Sequence, residues 1–446
     1  MINRNLLYYH LLPHDLEVNM KIGLLFDDKG FINIDLRYPE RGNPGVGGTQ
    51  FCFLMLSRYL NKNYPDVEVT YYHYNNNIFS NNIRSIIVDN LEMVVKNAKQ
   101  DGIDILIFTS VTDISVYSLI DKYKIKSIVW AHNYLFLNQL NAICKSNYVK
   151  RVVFVGKQQY DRYIDHQIIK KSQYIYNMFN SKEDSYRRNP NYEKIVTYTG
   201  SMIKQKGFHI LAKQWKSIVK RVPEAKLYII GSGKLYNRNA KLGTYNIADE
   251  DYEKQFIKYL VDKQGNILPS VKFLGVLGQE KVEVFQNTAV GVINPSARTE
   301  TFGLSAVEMS ACGIPIVSKC KNGLPDTIKN HRTGLLYYFN CGLKRRVIKL
   351  LLNKDLNNKL GNNAKKYVNE YFSPDNIIKE WYKLFNDILK DKTAEYYKPT
   401  DNYLNNMKFI RIINRSIKKL AIFSKLPAIV NYECWLKSII LRCLKK

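Results

Sequence analysis

The chain has 446 residues, 46% of them hydrophobic and 24% charged; this excludes a disordered chain, and the length exceeds one ordinary core, so two domains are expected. Lysine and arginine number 67 against 39 acidic residues, a formal charge of +28 at pH 7. Such an excess predicts an anionic partner (nucleic acid, an acidic membrane surface or a phosphorylated substrate) or a generally basic solvated surface, without choosing among them.

The first residues, "MINRNLLYYHLLPHDLEVNM", hold no sustained apolar run and no small-residue cleavage site, so they do not read as a signal peptide. From Met20 the pattern becomes regular. "KIGLLF" is a short apolar run, followed by a polar loop ending in "NPGVGGTQ" and by the helical pattern "FCFLMLSRYL". "VEVTYY", "IDILIF", "KSIVWA" and "RVVFVG" are further strand candidates, each separated from the next by a stretch of helical length. Apolar strands alternating with helices predict a parallel sheet covered on both faces. "QYIYNMF" closes this half, and the polar, aperiodic "NSKEDSYRRNPNYEK" reads as a linker. The alternation restarts with "IVTYTG", "KLYIIG", "VKFLG", "AVGVIN", "IPIVS" and "TGLLY". The expected fold class is therefore α/β, with a doubly wound domain over residues 1–180, a linker over 181–193 and a second such domain over 194–373. A cleft at the carboxyl ends of both sets of strands is the expected binding site.

"YFSPDNIIKEWYKLFNDILK" predicts a long amphipathic helix over 374–390, expected to pack back on the N-terminal domain. Residues 391–446 read as a basic amphipathic helical tail. Between Met407 and Lys446 there are ten basic residues and one acidic one, interleaved with Ile, Leu, Phe and Trp435. This predicts helices lying on an anionic membrane surface; the alternative is helices packed on the body with solvated lysines. As an anchor, the tail is expected to be separable from any chemistry in the cleft. No window of about 18 uninterrupted apolar residues predicts a spanning helix. The seven cysteines include no CxxC pair, which argues against a disulfide framework or zinc site and fits a reducing cytosol.

In "SARTETFGLSAVEMSACG" two glutamates, Glu300 and Glu308, stand with seven residues between them. The segment reads as a loop running into a helix whose start lies at the carboxyl end of a strand. The amides of Phe302, Gly303 and Leu304 are then expected to form an anion site. Glu300 falls just before the helix and Glu308 about one turn after Leu304, one carboxylate on each side of a bound anion, where each could accept hydrogen bonds from a vicinal diol. Spacing alone fits equally a helix-start glutamate and a solvated mid-helix one. In "TYTGSMIKQKGFHIL", Gly200 permits close approach of a ligand and Lys206 offers a point charge for phosphate. "GVGGT" joins the first strand to the first helix, where a glycine loop can meet a phosphate or sugar, but it is neither GxGxxG nor a P-loop. His132, in "VWAHNYL", falls just past a strand end; it is either a substrate hydrogen-bonding group or an ordinary loop histidine. Asp249–Asp251 spell the DxD letters of metal-dependent transferases, but they open a helical pattern where acidic residues are ordinary, so no metal site is expected.

As a set, these blocks resemble the retaining family 4 glycosyltransferases of GT-B fold. "ETFGLSAVE" is similar to that family's E-x7-E motif, and "YTGSMIKQKGFHIL", "LYIIGSGKLY" and "VKFLGVLGQEKV" resemble its other C-terminal blocks in order. "GVGGTQFCFLMLSRYL" resembles, more loosely, its N-terminal glycine loop and helix. The resemblance runs from about Met20 to Lys390. It implies two Rossmann-like domains facing each other across a cleft, the first on the acceptor side and the second holding a nucleotide sugar. It also implies transfer of a hexose, with UDP as the expected nucleotide, to a lipid-linked polysaccharide or lipopolysaccharide precursor. Glu300 is implied to contact the transferred sugar, the amides of Phe302, Gly303 and Leu304 the sugar and diphosphate, Glu308 the ribose diol, and Lys206 the leaving diphosphate. Gly47 and Gly48 are implied against the donor phosphates, His132 near the sugar's outer hydroxyls, and backbone around Val276 and Leu277 against the base. Gly200, Ser201 and Thr301 complete the implied donor-binding positions. Ser201 departs from the Arg that the family often carries there, and Lys204 is a candidate substitute. The implied enzyme needs no metal and no cofactor beyond its donor. It sits in the cytoplasm at the inner face of the membrane, with a glycan or lipid-linked glycan acceptor and no nucleic acid. Alternatives are an inactive nucleotide-sugar-binding protein, a GT-B epimerase or phosphorylase (with no signal for a pyridoxal lysine), and a basic nucleic-acid binder (with no recognised module).

Overall fold

A computed structural model describes residues 20–181, 186–234 and 240–443. The expectation for the first nineteen residues and part of that for the linker fall outside the described residues. In the N-terminal half, β1 (Met20–Phe26), β2 (Val67–His73), β3 (Arg84–Ile87), β4 (Ile105–Thr109), β5 (Ser127–Ala131), β6 (Val149–Phe154) and β7 (Ser172–Tyr174) form one parallel sheet, in the order β3-β2-β1-β4-β5-β6-β7. Its helices are α1 (Gly48–Asn63), α2 (Leu91–Gln100), α3 (Ser115–Tyr123), α4 (Leu137–Lys145) and α5 (Lys157–Asp161). Every residue of β4 and β5 is buried, which is why these strands read as unbroken apolar runs. The sequence pattern misses β3. It is an edge strand paired only to β2, and Arg84, Ser85 and Ile87 are exposed, so no apolar run marks it.

The C-terminal half repeats the plan. Strands β8 (Ile195–Thr199), β9 (Lys226–Ile230), β10 (Val271–Gly275), β11 (Thr288–Val292), β12 (Ile316–Lys319) and β13 (Gly334–Tyr337) run parallel in the order β10-β9-β8-β11-β12-β13. Helices α6 (Phe208–Arg221), α7 (Glu250–Ile257), α8 (Lys281–Gln286), α9 (Leu304–Ala311), α10 (Leu324–Thr327), α11 (Cys341–Leu352) and α12 (Lys354–Tyr371) connect them. Strand order reverses between β1 and β4 and again between β8 and β11. In open α/β sheets, such switch points leave a crevice at the strands' carboxyl ends.

Helix α13 (Pro374–Leu389) returns the chain to the first domain. Pro374 suits its first turn, and Ile377, Ile378, Trp381, Leu384, Phe385 and Ile388 make one buried stripe at three- and four-residue spacing. Trp381 lies 4.7 Å from Trp130, and Tyr382 stacks on Tyr64 at 3.9 Å.

The tail then crosses α5 and ends in α14 (Lys408–Ile417) and α15 (Ile429–Cys443). Helix α14 is inverted relative to an ordinary surface helix: Lys408 and Arg411 are buried, while Phe409, Ile413 and Ile417, four residues apart, are exposed. Lys408 pairs with Asp161 at 2.8 Å, and Thr400 donates to the same carboxylate. Arg411 pairs with Glu433 of α15 and lies 3.8 Å from Asp165. Neither reading of the tail, on a membrane or on the body with solvated lysines, anticipated these two buried cations. Asp161 and Asp165 are buried beneath the tail, and buried carboxylates need partners, so two of the tail's cations are drawn inward. Among the described residues no helix is long and apolar enough to cross a membrane.

Candidate active site

The facing loops of the two domains enclose a cavity of about 480 Å³ at the β8/β11 switch point. Thirteen of the residues singled out from the sequence line it: Gly47, Gly48, His132, Gly200, Ser201, Lys206, Leu277, Glu300, Thr301, Phe302, Gly303, Leu304 and Glu308. Val276 joins them, whereas Lys204 lines a separate groove beside Asp249, Asp251 and Tyr252 and so does not stand in for the missing arginine. Asp249 is engaged as a helix cap, its carboxylate accepting from the Tyr252 amide at 3.0 Å.

Glu300 ends a loop of unusual backbone. Asn294, Ala297 and Thr299 hold φ of 37°, 54° and 60°, the left-handed region that side chains rarely adopt. The Glu300 carboxylate accepts from Lys206 Nζ at 2.8 Å and from Asn294 Nδ2 at 2.9 Å. Burial works to raise this carboxyl, but Lys206, Asn294 and the Gly303 amide outweigh it and hold it below its ordinary value. The Gly303 amide adds to this hold on the Glu300 carboxyl. Gly303 is the N-cap of α9 at φ 94°, a backbone that glycine adopts readily. Leu304 and Ser305, the first two residues of α9, line the cavity and have no intrahelical acceptor for their amides.

Glu308 lies one turn further along α9, buried, with Lys281 Nζ at 2.7 Å. Lys281 and Asn294 are site residues that sequence reasoning missed. Each carries a single polar group in an ordinary-looking stretch, and each is brought to its glutamate only by the sheet topology.

His132 closes the first domain's side. Burial pushes its imidazole down to about 3, so it stays neutral, and its buried Nε2 has no hydrogen-bond partner among the described residues. Its carbonyl accepts from Thr301 Oγ1 at 2.6 Å, and Tyr134 OH donates to the Glu300 carbonyl at 3.3 Å, so the two domains meet at the site itself. Ser201 Oγ is likewise buried and unpartnered among the described residues. The arrangement holds two carboxylates, each with a lysine, on either side of a helix start. It suits a ligand with an anionic middle and hydroxyl-rich ends.

Two parallel Rossmann-like sheets facing across such a cleft are the GT-B glycosyltransferase architecture. Residues 180–367 match the family model of the glycosyl transferases group 1, so the C-terminal half carries a domain of that family. The capsular polysaccharide biosynthesis glycosyltransferase CapM of Staphylococcus aureus is 28% identical over 218 residues, 48% of this chain and 52% of that protein. The N-acetyl-alpha-D-glucosaminyl L-malate synthase of Bacillus anthracis is 27% identical over 203 residues, 45% of this chain and 47% of that one. The chain thus spans about half the length of the curated relatives it matches. Among solved structures, sucrose-phosphate synthase from Thermosynechococcus elongatus superposes with a TM-score of 0.62 at 15% identity, covering 84% of this chain and 100% of that one. Anabaena HepE, in complex with UDP and glucose, gives 0.62 at 14% identity, with 82% and 100% covered.

Proposed function

We propose that the chain is a metal-independent, retaining glycosyltransferase of family 4 type. It transfers a hexose from a nucleotide sugar, UDP-linked, to a lipid-linked polysaccharide or lipopolysaccharide precursor at the cytoplasmic face of a membrane. The observation that carries the reading is the pair of lysine-bound carboxylates, Glu300 and Glu308, flanking the start of α9 inside the interdomain cavity. Breaking the anomeric C1–O bond of the donor leaves negative charge on the diphosphate. Lys206 and the first amides of α9 are placed to stabilise charge developing there. As phosphate oxygens engage Lys206, Glu300 is freed to accept from the sugar's hydroxyls, and neutral His132 offers a further hydrogen bond. Glu308, paired with Lys281 Nζ at 2.7 Å, accepts from the ribose diol. Ser201 contributes a hydroxyl where the family often has a cation. The acceptor oxygen forms its bond to C1 from the leaving-group face while the C1–O bond to phosphate breaks, and its proton passes to the departing phosphate. That route retains the anomeric configuration.

The polysaccharide acceptor draws support from the likeness to CapM, and UDP from the neighbours solved with UDP and UDP-glucose. The membrane draws support from the tail's exposed apolar side chains, with Ile422 at 89% and Ile413 at 54% exposure among solvent-facing Lys419 and Lys425. A donor screen with the full chain tests the reading. UDP release is expected from at least one UDP-hexose, with retention at the transferred carbon. Glu300→Ala is expected to lower turnover by about a hundredfold or more. Turnover of no nucleotide sugar would sink the function, and an unaffected Glu300→Ala would sink the site.

A further inference from the structure

The loop that carries Glu300 does not hold itself. Three of its residues sit at left-handed φ, and such backbone persists only where surrounding structure fixes it. Its support comes from the segment after β12. Asn322 Nδ2 donates to the Ala297 carbonyl at 2.7 Å, at one of the strained positions, and the Gly323 amide donates to the Glu300 carbonyl at 3.0 Å. The two segments lie flush: a Cβ at Gly323 would fall 2.0 Å from the Thr301 carbonyl oxygen. Asn322 itself has φ 56°, so the support is strained as well.

What holds Asn322 comes from the tail. Asn405 Oδ1 accepts from the Asn322 amide at 2.8 Å, and Asn405 Nδ2 donates to the Asn322 carbonyl at 2.9 Å. The remaining Nδ2 proton goes to Gln158 Oε1 at 2.6 Å, on α5 of the first domain. One buried side chain thus uses both its donors and its acceptor to clamp the support of the Glu300 loop to the opposite domain. We infer that Asn405 is a positioning residue, acting through Asn322 on the loop that presents Glu300, so that the tail is part of the catalytic apparatus rather than a detachable anchor. The kinetic half of this inference rests on the transferase reading above. The structural half does not.

Hydrogen–deuterium exchange on the full chain tests it, comparing wild type with Asn405→Ala, Asn402→Ala and Asn322→Gly. Asn402 also bonds Gln158 from the tail but does not touch Asn322, so it reports tail anchoring alone. Asn322→Gly keeps the left-handed backbone and both backbone bonds to Asn405 and removes only the side-chain bond to Ala297, so it tests the second link, from Asn322 to the Glu300 loop, with the tail still docked. Asn405→Ala and Asn322→Gly are expected to speed exchange over residues 294–303, while Asn402→Ala leaves that segment at the wild-type rate. On a turned-over donor, the same two variants are expected to lower kcat by about ten- to a hundredfold with UDP affinity unchanged. Wild-type exchange over 294–303 in Asn322→Gly, or equal acceleration in Asn402→Ala, overturns the positioning role. If wild type turns over no donor, the transferase reading fails, and exchange alone still decides whether Asn405 holds the loop.

Discussion

Lys281 and Glu308 form a buried pair whose two halves come from different helices, α8 and α9. Removing one partner of such a pair strands the other charge away from water, at a cost of roughly 3–5 kcal/mol. Lys281→Met is therefore expected to lower the melting temperature clearly. The double variant Lys281→Met with Glu308→Gln is expected to recover most of that loss, while both bind UDP more weakly than wild type. A double variant no more stable than the single would show that Lys281 acts by packing rather than as Glu308's counter-ion. The pair also marks how far the site was legible. Glu300, Glu308, Lys206 and the glycines stand in local motifs that mark them as candidates, while their roles were expected from the resemblance of those motifs to a family and not from spacing alone. Lys281 meets its glutamate across 27 residues, and nothing in "GQEKVEVF" announces that.

At the scale of elements, the short helix α10 sits where the domains touch. Asp326 on it accepts from the Gln158 amide of α5 at 2.8 Å. Burial raises the Asp326 carboxyl from 3.8 to about 6, with Lys329 and the Gln158 amide opposing the rise. The folded state then binds more protons than the unfolded state between those two values. Stability from this group is full at the acid end and is lost as pH rises through about 6. Asp326→Asn keeps the acceptor for Gln158 and removes the titration. It is expected to melt roughly 5 °C above wild type at pH 8, with the gap about halved at pH 5 and closed only as pH falls to 3.8 and below. A gap of the same size at both pH values would assign the gain to something other than the carboxylate's charge. The same interface shows why the elements were legible when their junction was not. Strands buried on both faces, such as β4 and β5, carry their burial in their own residues, whereas β3, mostly exposed at an edge, does not. α10 is a single turn whose role is set by what lies across the cleft.

For the whole molecule, the formal charge of +28 predicted an anionic partner without locating it. The structure divides that charge: Lys206 and Lys281 in the cavity, Lys408 and Arg411 inside the tail's own anchorage, and exposed lysines such as Lys419 and Lys425 beside apolar side chains that face out. Deleting the tail cannot test membrane binding cleanly, because Asn405 would go with it. Substitutions on the outer face can. Ile413 and Ile422 are 54% and 89% exposed, and neither contributes to the cavity. Inserting an aliphatic side chain into a bilayer interface is worth on the order of 1.5–3 kcal/mol if burial is complete. Ile413→Ser with Ile422→Ser is therefore expected to weaken sedimentation with anionic liposomes by about tenfold or more, without altering donor hydrolysis in solution. Raising salt should weaken wild-type binding further, since the lysine contribution acts within a Debye length of the lipid surface. A double variant that still sediments like wild type would mean that this ridge faces a protein or nothing at all. Loss of hydrolysis alongside loss of binding would mean that the outer face of α14 also governs the inner one, where Lys408 and Arg411 hold the strap that bears Asn405.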